Sequence, residues 1–280
     1  MSPRRSNVWH ALRPQSHVPL AITTRRQLST RPRTPRYDGH VPINWFERSL
    51  LAIGSAVAGI VNTGRHDMIA VLSETTGGPF LARLRSEMRN SPSGRRLLRH
   101  RPRITEQSIA HAQLATLPAG SFGREYVDWL RRNKVTPDTR DPVRYIDDPE
   151  LAYIMQRYRE SHDFYHVLLG FGVSLPAELV VKWFELANFG LPVALLSGLV
   201  GPLRMDRDER ARLIDTYASW ALKAGGQAQC LIGVEWERNW SKDINLMRRE
   251  LGIVPPPMPF KEWRRQGKEI KRRREQADAS

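Results

Sequence analysis

Apolar residues recur at helical spacing through most of the chain from residue 42 to residue 260, and no convincing run of alternating β-branched residues interrupts them. In "GGPFLARLRSEMRN", Phe80, Leu81, Leu84 and Met88 have the spacing that places side chains on one face of an α-helix. This pattern, which contains no internal repeat, predicts an all-α fold with a single helical domain.

Turn and capping residues divide the pattern into separate helices. The clearest limits belong to the segment from Pro149 to Leu169, because Asp148 suits an N-cap, Pro149 suits the first helical position and Gly170 suits the end. Further helices are predicted at residues 44–61, 77–90, 123–135, 174–190, 208–225, 236–251 and 259–277.

Three polar side chains stand on the apolar helix that begins at Pro149. His162 and His166 are four residues apart and share a helix face, and Asp163 lies about 100° round the helix from His162. Glu178 follows twelve residues after His166, near the start of the next helix. Antiparallel helices packed about 8–10 Å apart would bring these side chains towards one point. The hairpin is therefore a candidate metal site, against the alternative of ordinary core histidines.

The donor types narrow the choice of metal. Two imidazoles and two carboxylates suit Zn²⁺ and, less selectively, cobalt, manganese or iron. Asp163 would act either as a ligand or as an acceptor that orients a histidine ring. Cys230 is the single cysteine, which excludes an internal disulfide and a thiolate-rich cluster.

The formal net charge of +15 is concentrated at the two ends of the chain. Residues 1–37 hold eight arginines and no acidic residue, and residues 261–280 hold eight bases against four acids, so the region between them carries only +3. This distribution argues against a nucleic-acid-binding protein. It predicts a mitochondrial transit peptide at residues 1–28, cleaved within "RRQLST" after Leu28, the alternative being a basic arm.

Three further segments complete the predicted organisation. They are a linker at residues 29–41, the helical domain at residues 42–260 and a basic helical tail at residues 261–280. Within the domain, Leu186 to Leu203 is uncharged but interrupted by glycine and proline. A buried helix pair or an apolar groove is the preferred interpretation, followed by contact with a membrane surface and, last, a membrane-spanning helix.

The segment "HDFYHVLLGFGVSLPAE" matches the HDxxH-x(11)-E signature of the Coq4-type proteins of mitochondrial ubiquinone (coenzyme Q) biosynthesis. The blocks "GRRLLRHRPRI", "LPAGSFGREYVDWL", "VTPDTRDPVRYIDDPELAYIMQRYRESHD" and "WERNWSKDI" also resemble that family, in the same order. The resemblance extends from about Pro42 to Pro257 and leaves out the basic tail.

The resemblance implies an all-helical, peripheral protein on the matrix face of the mitochondrial inner membrane, within a complex of ubiquinone-biosynthesis enzymes. It implies a zinc site made by His162, Asp163, His166 and Glu178, which are also the expected catalytic residues. The implied reaction removes the C1 carboxylate of a 4-hydroxy-3-methoxy-5-polyprenylbenzoate, a lipid substrate, with or without a coupled hydroxylation. A homo-oligomer is also expected.

Two other functions compete with this expectation. The chain would be a non-catalytic scaffold that binds polyprenyl lipid and organises partner enzymes if its metal were structural, with four protein ligands closing the site. It would be a metal phosphohydrolase if further histidines and aspartates on other helices joined the cluster. His100 and His111 are available, but their basic or loop-like surroundings do not favour this function.

Overall fold

The computed structural model describes residues 34–61 and 66–278, which form helices and connecting segments without a β-strand in these ranges. The described residues belong to one compact unit, so the predicted single all-α domain is confirmed. The helices are α1 (Trp45–Val61), α2 (His66–Thr76), α3 (Gly78–Asn90), α4 (Pro92–His100), α5 (His111–Leu114), α6 (Phe122–Asn133), α7 (Pro149–Leu169), α8 (Leu175–Phe189), α9 (Pro192–Val200), α10 (Arg207–Leu213), α11 (Ser219–Gln227), α12 (Ile244–Glu250) and α13 (Phe260–Asp278). The predicted transit peptide lies outside the described residues.

Helix α7 is the buried centre of the domain, and its limits are those predicted. The Asp148 carboxylate accepts hydrogen bonds from the backbone amides of Glu150 and Leu151, which satisfies donors left free at a helix start. Gly170 ends the helix with φ of 80°, a left-handed conformation that glycine adopts without steric cost. Nearly every residue after the first turn is buried, so this helix meets protein on all sides.

Buried charges on α7 are paired with partners from other parts of the fold. The guanidinium of Arg157 donates to Glu237 at 2.9 Å, and that of Arg159 donates to Glu74 at 2.8 Å. Glu160 accepts from Arg103 at 2.7 Å. Because an unpaired buried charge is costly, these ion pairs fix α7 against its neighbours.

Helix α8 returns beside α7 and packs closely against α11. Gly190 ends α8 with φ of 68°, as its predicted limit requires. Gly225 allows the contact with α11, because a Cβ atom there would lie 2.3 Å from the backbone oxygen of Phe184. A side chain at this position would push the two helices apart.

Some of the predicted helix limits are wrong. Residues 236–251 do not form one helix: a 3₁₀ turn covers Trp236–Arg238, and α12 starts only after Asp243, whose side chain caps it. Helix α4 was not predicted. Ser91 is both the C-cap of α3 and the N-cap of α4, so the sequence that follows α3 was interpreted as a turn. The helix predicted at residues 208–225 is continuous but includes a π-helical segment, Ile214–Ala218.

Two helices expose apolar side chains to solvent. On α1, a single stripe is between 56% and 80% exposed and comprises Phe46, Leu50, Ile53, Val57 and Val61. The apolar run from Leu186 to Leu203 is divided between the end of α8, helix α9 and a 3₁₀ turn, and it exposes Leu195, Leu199 and Leu203. In the described part of the chain, no helix combines the length and the apolar character needed to cross a bilayer.

Candidate metal centre

Three of the predicted ligands converge where α7 and α8 face each other. His162 and His166 lie one turn apart on α7, and Glu178 lies in the first turn of α8. The two Nε2 atoms are 3.1 Å apart, and the Glu178 oxygens lie 3.3 Å from Nε2 of His162 and 3.4 Å from Nε2 of His166. We call these three side chains the ligand cluster.

The spacing of the ligand cluster fits a small cation. Four donors at about 2.0–2.1 Å from a tetrahedral zinc ion stand about 3.3–3.4 Å from one another, which follows from the bond length and the tetrahedral angle. The two histidine Nε2 atoms are 3.1 Å apart, slightly less than that value, and each lies 3.3–3.4 Å from a different oxygen of Glu178. Nitrogen and carboxylate oxygen are also the donor types that zinc accepts.

The cluster is closed on the histidine side and open on the carboxylate side. The side chain of His166 is 1% exposed and that of His162 is 7% exposed, whereas that of Glu178 is 35% exposed. A molecule from solvent would therefore approach along Glu178. If a zinc ion were bound by these three side chains, one position would remain for a molecule from solvent, as in catalytic rather than structural zinc sites.

Asp163, the fourth predicted ligand, lies outside the ligand cluster. Its carboxylate accepts a hydrogen bond from Nη2 of Arg140 at 2.6 Å, and the Asp163 side chain is buried whereas that of Arg140 is partly exposed. Arg140 comes from the connection between α6 and α7, 23 residues before Asp163. The structure thus brings together three of the four predicted ligands, and the role of Asp163 as a ligand stays a prediction.

Glu185 is a buried carboxylate beside the cluster that the sequence analysis missed. Its Oε1 lies 2.5 Å from Nδ1 of His162, the ring nitrogen that points away from the other ligands. Its Oε2 accepts from the hydroxyl of Tyr158 at 2.7 Å and from Nζ of Lys182 at 2.6 Å. The signal was present, because positions 178, 182 and 185 share one face of α8.

Neighbouring charges favour the ionised form of the Glu178 and Glu185 carboxylates. Burial disfavours the ionised form of Glu178, but His166 and His162 more than offset it and hold the pKa of this carboxyl well below its ordinary value. Burial acts in the same way on Glu185, and Lys182 and His162 lower the pKa of that group to about 2. Two anionic groups thus flank the imidazole of His162.

The second histidine has a different environment. Nδ1 of His166 is buried and has no hydrogen-bond partner within the described residues. The ring instead lies beside the indole of Trp129, with 5.5 Å between the ring centroids. The two histidines are therefore unequal: one is tied to a carboxylate and the other is held by packing.

The histidines required for a phosphohydrolase do not join the cluster. His111 lines a surface cleft of about 420 Å³ between α5 and α6, where its Nε2 lies 3.4 Å from a Glu106 carboxylate oxygen. His100 lines a smaller cleft of about 260 Å³. No residue of the ligand cluster lines either cleft, so this alternative gains no support.

Known proteins resemble the chain over most of its length. The sequence model of the family described as "Coenzyme Q (ubiquinone) biosynthesis protein Coq4" matches residues 37–257. A relative from Laccaria bicolor, "Ubiquinone biosynthesis protein COQ4, mitochondrial", is 49% identical over 254 residues, covering 91% of this chain and 82% of the relative. A Homo sapiens relative, "Ubiquinone biosynthesis protein COQ4 homolog, mitochondrial", is 45% identical over 224 residues, covering 80% and 84%.

A solved structure supports the fold. The crystal structure of a Nostoc punctiforme protein, described as a "Putative ubiquinone biosynthesis protein", superposes with a TM-score of 0.58 at 20% identity. The match covers 75% of this chain and 98% of that one. With the family match over more than half of the chain, these relationships show that the protein belongs to the Coq4 family of ubiquinone biosynthesis proteins.

Proposed function

We propose that this protein removes the C1 carboxylate of a 4-hydroxy-3-methoxy-5-polyprenylbenzoate, forming a 2-methoxy-6-polyprenylphenol during ubiquinone biosynthesis. The observation that carries the proposal is the ligand cluster of three donors with its solvent-accessible side at Glu178. A substrate oxygen could take the remaining position of a tetrahedral site built on these side chains.

The chain's own residues would hold the cation and the substrate. His162, His166 and Glu178 would bind a divalent ion, for which Zn²⁺ is the best match to the donor types. Such an ion, when bound, would supply Lewis-acid stabilisation of negative charge on substrate oxygens. The exposed apolar residues of α9 and of the turn after it, Leu195, Leu199 and Leu203, are the candidate contacts for the polyprenyl tail.

The reaction requires a proton at the carbon that loses carbon dioxide. As the C1–carboxylate bond breaks, its electron pair stays on the ring carbon, which then takes one proton. Asp163 is a candidate group for that transfer, as is Glu178 when it is not bound to the cation. Asp163 is held by Arg140 in an ion pair that fixes its position, whereas Glu178 touches both histidines. A coupled hydroxylation would need an added oxidant and changes none of these contacts.

The second candidate is a lipid-binding scaffold with a structural metal. It is disfavoured by the donor count, because a structural zinc site is usually closed by four protein ligands and the cluster contains three within the described residues. The exposed apolar stripe of α1 fits either candidate, since both work on lipid.

We further propose that the protein acts in mitochondria, peripherally on the matrix side of the inner membrane, with other ubiquinone-biosynthesis enzymes. The names of the relatives support the organelle. The apolar stripe of α1 supports contact with a lipid surface, because an apolar helix face can lie in the membrane interface. The basic residues of α13 would add attraction to anionic lipids.

A direct assay separates the two candidates. Purified mature protein is incubated with the prenylated hydroxybenzoate, with a chelator or with added Zn²⁺, and the phenol and the released carbon dioxide are measured. We expect metal-dependent turnover that Glu178→Ala abolishes and that His100→Ala, which alters a histidine outside the cluster, leaves intact. Absence of product at full metal occupancy would contradict the enzyme and favour the scaffold.

A further inference from the structure

We propose that Glu185 is a positioning residue that fixes the ring of His162 and directs the Nε2 lone pair of that ring into the ligand cluster. The inference rests on the proposed metal site and deepens it. Glu185 is fully buried and lies 2.5 Å from Nδ1 of His162. It contributes no atom to the cluster itself.

The direction of this hydrogen bond determines the tautomer. Oε1 of Glu185 lies 2.5 Å from Nδ1 of His162, and a carboxylate oxygen acts as the acceptor, so this contact favours the ring form that carries its proton on Nδ1. In the neutral ring the lone pair is then on Nε2, the atom that lies 3.1 Å from His166 and 3.3 Å from Glu178. Only that tautomer can bind a cation within the cluster.

Glu185 is itself held in place from its other oxygen. Tyr158 and Lys182 both donate to Oε2, which leaves Oε1 for His162. Tyr158 is on α7, one turn before His162, and Lys182 is on α8, one turn before Glu185. Donors from both helices thus converge on a single carboxylate, and the orientation of the His162 ring follows from the packing of the hairpin.

Within the described ranges, His166 has no comparable carboxylate at its far ring nitrogen. An effect of replacing Glu185 can therefore be assigned to His162. Nδ1 of His166 has no hydrogen-bond partner among the described residues. Replacing Glu185 therefore removes the carboxylate that lies 2.5 Å from the far nitrogen of His162, and leaves Lys182, whose Nζ lies 3.5 Å from the same nitrogen. Loss of a residue that orients a metal-binding histidine typically weakens metal binding by about 10–100-fold.

The first test measures zinc affinity by competition with a chromophoric chelator. We expect Glu185→Gln to weaken Zn²⁺ binding by about 10–100-fold and Tyr158→Phe, which removes one of two donors to Oε2, by less than that. Glu74→Gln is the matched control, because Glu74 is also a buried carboxylate held by a cation, Arg159, and does not contact the cluster. The zinc affinity of the Glu74→Gln variant should equal that of the wild type.

The outcomes distinguish this inference from the function on which it rests. A wild-type protein that binds no zinc would overturn the metal site itself. A wild type that binds zinc while Glu185→Gln binds it equally well would overturn only the positioning role. An equal loss in Glu74→Gln would also overturn that role, because it would show a general effect of removing a buried charge.

A spectroscopic measurement on the unaltered protein covers the case in which Glu185→Gln does not fold. In zinc-loaded wild type, long-range ¹H–¹⁵N spectra, assigned by comparison with His162→Gln, should show His162 protonated at Nδ1 and bound through Nε2. A merely structural carboxylate would not dictate this pattern. Binding through Nδ1 would overturn the inference.

Discussion

Arg140 and Asp163 form a 2.6 Å ion pair, and the Asp163 carboxylate lies outside the ligand cluster. We therefore expect Asp163→Asn to retain zinc, because none of the three cluster donors is removed. Turnover should fall by at least about 100-fold, the low end for loss of a group that moves a proton. Metal analysis and product formation on the same preparation measure the two effects.

Asp141→Asn is the control for this substitution, since Asp141 is an exposed neighbour of Arg140 in the same connection. This substitution should leave both the bound zinc and the turnover unchanged. Loss of zinc from Asp163→Asn would make Asp163 a ligand after all, and full activity would exclude it from the chemistry.

His166→Ala and Glu178→Ala should each lose bound zinc and activity while keeping the helical circular-dichroism signal. Each removes one of three cluster donors, whereas the helical core does not depend on one cation. With free zinc at 100 times the dissociation constant, the wild type should gain about 2.7 kcal/mol of stability and the variants essentially none. Thermal unfolding with and without zinc provides the measurement. An equal gain in all three proteins would place the bound zinc elsewhere.

Gly225→Ala should destabilise the fold by about 1–3 kcal/mol, the usual cost of overpacking a close contact. The added Cβ would lie 2.3 Å from the carbonyl oxygen of Phe184, and backbone cannot move aside as a flexible side chain can. Gly226→Ala is the matched control on the same helix, because a Cβ there meets nothing within 4 Å. It should be neutral or stabilise by up to about 1 kcal/mol through helix propensity. Urea unfolding measures the stability of both variants. Equal stabilities of Gly225→Ala and Gly226→Ala would contradict the close contact between α8 and α11.

Leu50→Glu combined with Ile53→Glu should reduce binding to vesicles of phosphatidylcholine and an anionic lipid by at least about tenfold. Both side chains belong to the exposed stripe of α1, where charge would oppose insertion into the interface. Leu246→Glu, which changes an exposed leucine on α12, should bind as the wild type does. Vesicle flotation measures the bound fraction. If the double variant floats as well as the wild type, the stripe of α1 is not the lipid contact.

The mature chain should begin near Ser29, because the acid-free, arginine-rich segment contains at that point a sequence that resembles matrix processing sites. Mass spectrometry of the protein isolated from mitochondria tests this directly. A polypeptide that retains Met1 in the organelle would refute the transit peptide.

The helix hairpin could be predicted because single residues set its limits. Asp148 caps α7, and Gly170 and Gly190 end α7 and α8 in the left-handed conformation that favours glycine. Given two helices with known starts, the spacing from His166 to Glu178 was enough to predict that these side chains meet.

Other features of the site and fold depend on contacts that cannot be predicted from the spacing of apolar residues. Arg140 lies in a turn-rich connection, so its pairing with Asp163 could not be derived from a helical pattern. Glu185 occupies the same face of α8 as Glu178, but its role requires knowing that this face meets His162. The break before α12 was missed for a local reason, because Asp243 was not recognised as an N-cap.

All three donors of the ligand cluster come from a 17-residue stretch of a single polypeptide, residues 162–178. A second copy of the chain is therefore not needed to complete the donor set. The metal stoichiometry should be one ion per polypeptide whether the protein is a monomer or an oligomer, and dilution that separates copies should not release the ion. In an oligomer, each cation would stay with its own chain.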